Sequence, residues 1–222
     1  MNTTSRIDHV VWDWNGTLFD DASVSIECTI EAFASLGLPE VTVERCRKLF
    51  IQPIPVFYER LAGRELDEEE QRALRDAYWV AYRHRHATAT LNADAAAALR
   101  WVDDRGLSQS LLSMYPHADL VPLVRRLGIE PHFDRVDGRP EPDRGVKSGY
   151  LATHLKRLGL RGSQVLMVGD SVDDARAAAT AGAACVLYTS GMHAPEALRA
   201  EGVPVAGSLP EALQIGTLGG AA

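Results

Sequence analysis

Short apolar runs rich in Val, Leu and Ile recur along this chain, with stretches of helical text between them. Ile7–Trp12, Leu107–Ser113, Phe133–Val136, Val165–Val168, Ala184–Tyr188 and Val203–Val205 read as strands. Helices fall between them: one across Asp94–Asp104 with Gly106 beyond its end, one over Lys147–Leu158, and one that closes near Gly182. Strands of this kind are buried on both faces and need helices on both sides. The alternation therefore predicts an α/β fold, a doubly wound parallel sheet. A chain of 222 residues can bury such a core with room for a smaller insert.

One segment breaks the alternation. From about residue 20 to 90 the text is helical throughout. Ser23–Leu36 is a helix with Gly37 past its end, and Thr42–Phe50 is a second. A third begins at Pro55 and stops at Gly63, the expected asymmetry of a proline in the first turn and a glycine after the last. A fourth opens with Asp67 as N-cap and Glu70 three residues on, and closes with Arg83-His84-Arg85-His86; both ends suit the helix dipole. The expected organisation is a Rossmann-like core from residues 1–19 and 91–222, with an all-helical cap inserted over 20–90. The Gly/Ala-rich tail Gly216–Ala222 is expected to fray.

Composition narrows the partners. The formal net charge is −7 and no block of Lys or Arg occurs, which argues against nucleic acid. Met1–Ser5 is polar and the apolar run after it is too short for a signal h-region or a membrane span. Cys28, Cys46 and Cys185 are odd in number, widely spaced and without a CxxC pair, so they read as buried small residues of a protein in a reducing cytoplasm. A monomer or weak homo-oligomer is expected. Lys occurs only at 48, 147 and 156, which makes each one noticeable.

Four short elements close strands or open the next helix. Asp13-Trp14-Asn15-Gly16-Thr17 follows the first strand, with Gly16 allowing a sharp turn. Ser113 ends the second strand, where a hydroxyl can bind a phosphate oxygen. Lys147 stands at the start of its helix, where its charge could neutralise a phosphoryl group. Gly169-Asp170-Ser171-Val172-Asp173-Asp174 ends the fourth strand and opens a helix. Open α/β sheets bind ligands at the carboxyl ends of their strands. An Asp there can attack phosphorus and form an aspartyl phosphate. Carboxylates at such ends suit Mg2+. Asp170, Asp173 and Asp174 could equally serve to cap and charge their helix.

Taken in order, these elements resemble the haloacid dehalogenase-like superfamily of aspartyl-nucleophile hydrolases, in its phosphoglycolate phosphatase-like branch with a helical cap. The resemblance runs from Ile7 to about Pro210, and the fourth element with its continuation through Ala178 to Gly182 is very close to the family's GDSxxDxxAAxxAG pattern. It implies that Asp13 is the nucleophile and that Asp13, the Asn15 carbonyl and Asp170 hold Mg2+, with Asp174 orienting the metal's shell. Ser113 and Lys147, with Gly16 and Thr17 of the first turn, would hold the phosphoryl group of a small phosphorylated metabolite. Asp173 would be an exposed neighbour.

The chain departs from the pattern at Asn15, where the family's phosphatases carry an Asp that protonates the leaving group and later activates water. General acid–base catalysis is worth typically ~10²–10⁴-fold, and an amide cannot supply it. Acyl and aryl phosphates need that acid least. His84, His86, His117 and His193 are the candidate replacements. The leading expectation is a Mg2+-dependent phosphatase. The alternatives are a weak or inactive protein that binds Mg2+ and a phosphorylated ligand, and a dehalogenase. Lys48 falls upstream of the lysine position used by phosphonate-cleaving relatives, which makes that activity improbable. Arg45, Arg47, Arg60 and Arg64 are candidates to recognise an anionic substrate tail.

Overall fold

His9–Trp12 forms the first strand, β1, and lies in the middle of the sheet. The computed structural model describes residues 6–86, 89–140 and 146–218. Six strands, β1, β2 (Ser108–Pro116), β3 (Arg135–Arg139), β4 (Val165–Gly169), β5 (Ala184–Tyr188) and β6 (Val205–Ala206), pair in the order β3-β2-β1-β4-β5-β6, all parallel. The expected doubly wound sheet is therefore what forms. Its order reverses between β1 and β4, and a crevice opens at such a switch point.

Side chains along β1 alternate between the two faces. Val10 and Trp12 pack with Leu111, Leu166 and Val168 against α5 (Ala95–Asp103), α6 (His117–Arg126) and α10 (Leu209–Leu218). Val11 packs with Leu112, Met167 and Leu187 against α7 (Lys147–Leu158), α8 (Val172–Ala181) and α9 (Pro195–Arg199). Both faces are buried, and each fully buried Leu or Val stabilises the fold by about 1.5–3 kcal/mol.

Between β1 and α5 run α1 (Ala22–Ser35), α2 (Val43–Leu49), α3 (Ile54–Ala62) and α4 (Glu68–Arg85). They share an apolar cluster of their own, centred on Phe33, Phe57, Leu61 and Leu74. Asp67 caps α4 through Glu69 N and Glu70 N, and Glu70 reaches back to Asp67 N at 3.2 Å, completing the expected capping box. Trp14, Phe19, Ala81 and Tyr82 join the sheet's cluster, so α4 leans on the carboxyl end of β1.

Strand expectations shift. β1 starts at His9 rather than Ile7. β3 starts at Arg135 rather than Phe133, because this edge strand is only half-buried and carries a polar pair, Arg135 and Asp137, in place of an apolar run. β2 continues past Ser113 to Pro116, and its pairing with β3 changes register between Leu112 and Pro116. β6 lies at Val205–Ala206, displaced from Val203–Val205. Gly216–Leu218 belong to α10 instead of fraying; residues 219–222 of the tail, and Met1–Ser5, lie outside the described residues. The three cysteines are buried and free, as expected. No helix among the described residues is long and apolar enough to cross a membrane.

Candidate active site

Asp13 follows the last residue of β1, and its backbone N–H donates to Val168 O of β4 at 2.9 Å. That bond ties the residue to the switch point. The chain then folds back on itself: Gly16 has φ 74°, and Thr17 N and Phe19 N both donate to Trp14 O. Trp14 is fully buried and stacks on Phe19 at 4.9 Å, so the turn is anchored by its own aromatic pair. Asn92 fastens it further by donating to Thr17 O and accepting from Ser190 Oγ.

Asp170 leaves the end of β4 beside Asp13. Thr17 Oγ1 donates to its Oδ1 at 3.1 Å. Two glycines make room for it. A Cβ on Gly16 would come within 2.6 Å of Asp170 Oδ2, and one on Gly191 would overlap that oxygen. Asp174 is buried and divides its oxygens. Oδ2 accepts from Ser171 N at 3.0 Å and Ser171 Oγ at 2.6 Å, which completes the cap of α8, while Oδ1 pairs with Lys147 Nζ. Lys147 opens α7 and also pairs with Asp13 Oδ1. It is 5% exposed, so both ion pairs are shielded from water.

Asp13, Asp170 and Asp174 each offer an oxygen within 4.8 Å of the others. Three buried carboxylates face one ammonium. Burial pushes the Asp13 carboxyl up to about 6 against the pull of Lys147. Burial and the Asp13 charge push Asp170 well above the usual carboxylate range. Burial disfavours the Lys147 ammonium, but Asp13 and Asp174 outweigh it and hold the lysine charged. A site with this excess of negative charge and hard oxygen donors has the chemistry to hold a divalent cation.

Ser113 lies where β2 loses its regular register, a place where bulges re-aim side chains. It is buried, and its Oγ accepts from Tyr115 N at 2.9 Å, leaving its hydroxyl proton to donate elsewhere. Ser113, Lys147, Asp13, Asn15, Gly16 and Asp170 line one cavity of about 350 Å3, which continues between the sheet's end and α1–α4.

Asn15 is held by a network with no forewarning in the sequence. Its Nδ2 donates to Asp21 Oδ2 at 2.7 Å and to Tyr82 Oη at 3.1 Å, and Tyr82 donates to the same Asp21 oxygen at 2.6 Å. Gly16 N donates to Asp21 Oδ1 at 2.9 Å. Burial raises the Asp21 pKa, and these donors oppose the rise. An Asp just before a helix reads as an ordinary N-cap. Asp21 does occupy that position on α1, but its side chain makes no capping bond and turns toward Asn15 instead.

Several expected residues lie elsewhere. Of the four histidines, none lines the cavity. His84 is exposed, His86 stacks on Tyr82, His117 accepts from Gly138 N, and His193 is buried against Phe50. Arg45, Arg47, Arg60 and Arg64 are also absent from its walls; Arg64 is engaged by Glu70 at 2.6 Å. Lys48 is exposed on α2 and is no part of the cavity. Asp173 is not an exposed neighbour: it is half-buried and lines the cavity.

The sequence profile of the haloacid dehalogenase-like hydrolases matches residues 7–182. The chain belongs to this family. Among haloacid dehalogenase-like hydrolases it is similar to a phosphoglycolate phosphatase of Yersinia pestis, 30% identical over 198 residues that cover 85% of this chain and 84% of that protein. A phosphoglycolate phosphatase of Pseudomonas syringae pv. tomato is 28% identical over 193 residues, covering 83% of this chain and 70% of the relative. A haloacid dehalogenase-like family hydrolase from Streptococcus pneumoniae shares the fold, with a TM-score of 0.80 at 20% identity over 93% of this chain and 97% of that one.

Proposed function

We propose that this hydrolase is a Mg2+-dependent phosphomonoesterase acting on a small phosphorylated substrate through an aspartyl phosphate on Asp13. The observation that carries the reading is the approach of Asp13, Asp170 and Asp174 to within 4.8 Å of one another, with Lys147 among them. The phosphoglycolate phosphatases among its relatives support it. Asp13, Asp170 and the Asn15 carbonyl would hold the ion, with Asp174 behind them. Bound there, Mg2+ supplies charge neutralisation for the phosphoryl oxygens. Lys147 and Ser113 would hold the phosphoryl group beside Asp13, and the Gly16-Thr17 turn supports the site through the Thr17 bond to Asp170. Helices α1, α3 and α4, within the stretch 20–90 read as a cap, wall the cavity on the side facing the sheet's end. The cytoplasm, and a monomer or weak homo-oligomer, fit this reading.

A second reading rests on Asn15. An amide committed to Asp21 and Tyr82 donates no catalytic proton, which favours a protein that binds Mg2+ and a phosphorylated ligand with little turnover. Dehalogenation is disfavoured, because the buried carboxylates beyond Asp13 would repel one another without a cation. Malachite-green detection of phosphate released from a panel of phosphomonoesters, with Mg2+ and with EDTA, tests the proposal. Asp13→Asn should lose release at least about 10³-fold with its circular dichroism unchanged. Retained turnover in that variant refutes the nucleophile. Mg2+ binding without turnover by the native chain selects the second reading.

A further inference from the structure

The cavity beyond the carboxylates is aromatic. Phe50, Phe57, Tyr58, Tyr78, Trp79 and Tyr82 line it from α3, α4 and the end of α2. Phe57 and Tyr58 are buried, and Tyr78 and Tyr82 stack with ring centroids 5.5 Å apart. At about 350 Å3 the space exceeds what a phosphoryl group and a two-carbon tail fill, and it falls in the range of small-ligand pockets.

Its charges point the same way. Among the described residues, the basic side chains on its walls are Lys147, already shared between Asp13 and Asp174, and Arg75, whose side chain is 54% exposed beside Asp76. A second anionic group on a substrate, such as a carboxylate, would need a desolvated cation to receive it. The described carboxylates on its walls are Asp13, Asp170, Asp21 and Asp173.

Asn15 adds an independent constraint. With its amide fixed by Asp21 and Tyr82, it has no proton to give a departing oxygen. An alkoxide leaves poorly without one. A phenolate does not need it, since the pKa of a phenol is about 10.

We infer that the substrate is an aryl phosphate, with its ring or rings seated among these aromatic side chains. The inference rests on the phosphomonoesterase reading above. In the first step an Asp13 carboxylate oxygen bonds to phosphorus while the P–O(aryl) bond breaks. The aryloxide leaves with that electron pair and takes its proton from solvent. In the second step water attacks phosphorus, inorganic phosphate departs, and the Asp13 carboxylate is restored. The sum is aryl phosphate plus water giving a phenol and phosphate.

The test is steady-state kinetics of the full chain in Mg2+ with four esters: 1-naphthyl phosphate, phenyl phosphate, benzyl phosphate and 2-phosphoglycolate. The expected order of kcat/KM is the order given, with 1-naphthyl phosphate ahead of 2-phosphoglycolate by at least about tenfold. Benzyl phosphate carries a ring on an alkyl oxygen. Its kcat should fall about 10²-fold or more below that of phenyl phosphate, the share that an absent acid would supply. Trp79→Ala should raise KM for 1-naphthyl phosphate about tenfold with a smaller change in kcat, since Trp79 is a half-buried wall rather than a core residue. Preference for 2-phosphoglycolate overturns the inference and leaves the phosphomonoesterase reading standing. Equal kcat for phenyl and benzyl phosphate overturns the aryl-oxygen part. Failure of all four esters to release phosphate overturns both readings.

Discussion

At the scale of single residues, Asn15 and Asp21 behave as a matched pair. The amide donates to a carboxylate that Tyr82 and Gly16 also serve. Restoring an acid at position 15 therefore has a cost that position 15 alone does not reveal. Asn15→Asp sets a second carboxylate about a hydrogen bond away from a buried one, and at pH 7.5 should destabilise the protein by about 2–4 kcal/mol. The pair would share a proton as pH falls, so the loss should shrink at pH 5. The double variant Asn15→Asp/Asp21→Ser should recover most of the loss at both pH values. Urea midpoints for the three proteins check this; an equal penalty with and without Asp21 would dissolve the pairing. The nearness of Asp13, Ser113, Lys147, Asp170 and Asp174 to the carboxyl end of the sheet was legible because each stands at a strand end or helix start, where spacing fixes position. Asp21 was not, because its place before α1 assigns it a routine capping role that its side chain declines.

At the scale of elements, a polar chain crosses beneath the sheet. His9 of β1 bonds Ser108 and Ser110 of β2, at 2.6 and 2.7 Å. His154 of α7 bonds Ser110 and also Asp137 of β3, each at 2.7 Å. Two strands, the edge strand and a helix are thus stitched by side chains that look surface-like in sequence. The same polarity hid the start of β3, since an edge strand that pairs Arg135 with Asp137 presents no apolar run to find. Burial, reinforced by His154, lowers the His9 pKa from 6.5 to about 4. The unfolded chain takes up this proton near pH 6.5 and the folded chain only near 4. Stability is therefore complete above about 6.5 and is lost as pH falls toward 4, by about 3 kcal/mol in all. His9→Gln removes that dependence. Its urea midpoint should be lower than wild type at pH 7.5 and should fall less between pH 7 and 5. A parallel fall would assign the acid sensitivity to other groups.

At the scale of the whole molecule, the site concentrates negative charge that the fold does not neutralise by itself. Asp170→Asn removes one of the three buried carboxylates. In EDTA it should raise the melting temperature by about 2–6 °C, and in millimolar Mg2+ it should lose the upward shift that wild type shows. Differential scanning fluorimetry in both buffers decides, and a lower melting temperature for the variant in EDTA would show that the carboxylate is needed for packing alone. The sheet and the run of helices α1–α4 between β1 and α5 were readable from alternation and its interruption. The aromatic cavity was not, because Phe50, Phe57 and Trp79 come from separate segments whose apolar residues read equally well as core.

β1 also sets a schedule. Of the six described strands it leaves the ribosome first, yet it is the centre of the sheet, pairing His9 with Ser108 on one side and with Val165 on the other. At typical synthesis rates of about 5–20 residues per second, its second neighbour follows roughly 10–30 s later. For that interval Val10, Val11 and Trp12, fully buried in the finished protein, have an open edge. The strand that delivers Asp13 to the site is thus the part of the nascent chain most in need of a chaperone, and expression yield should respond to holdase supply more than the folded protein's stability would indicate.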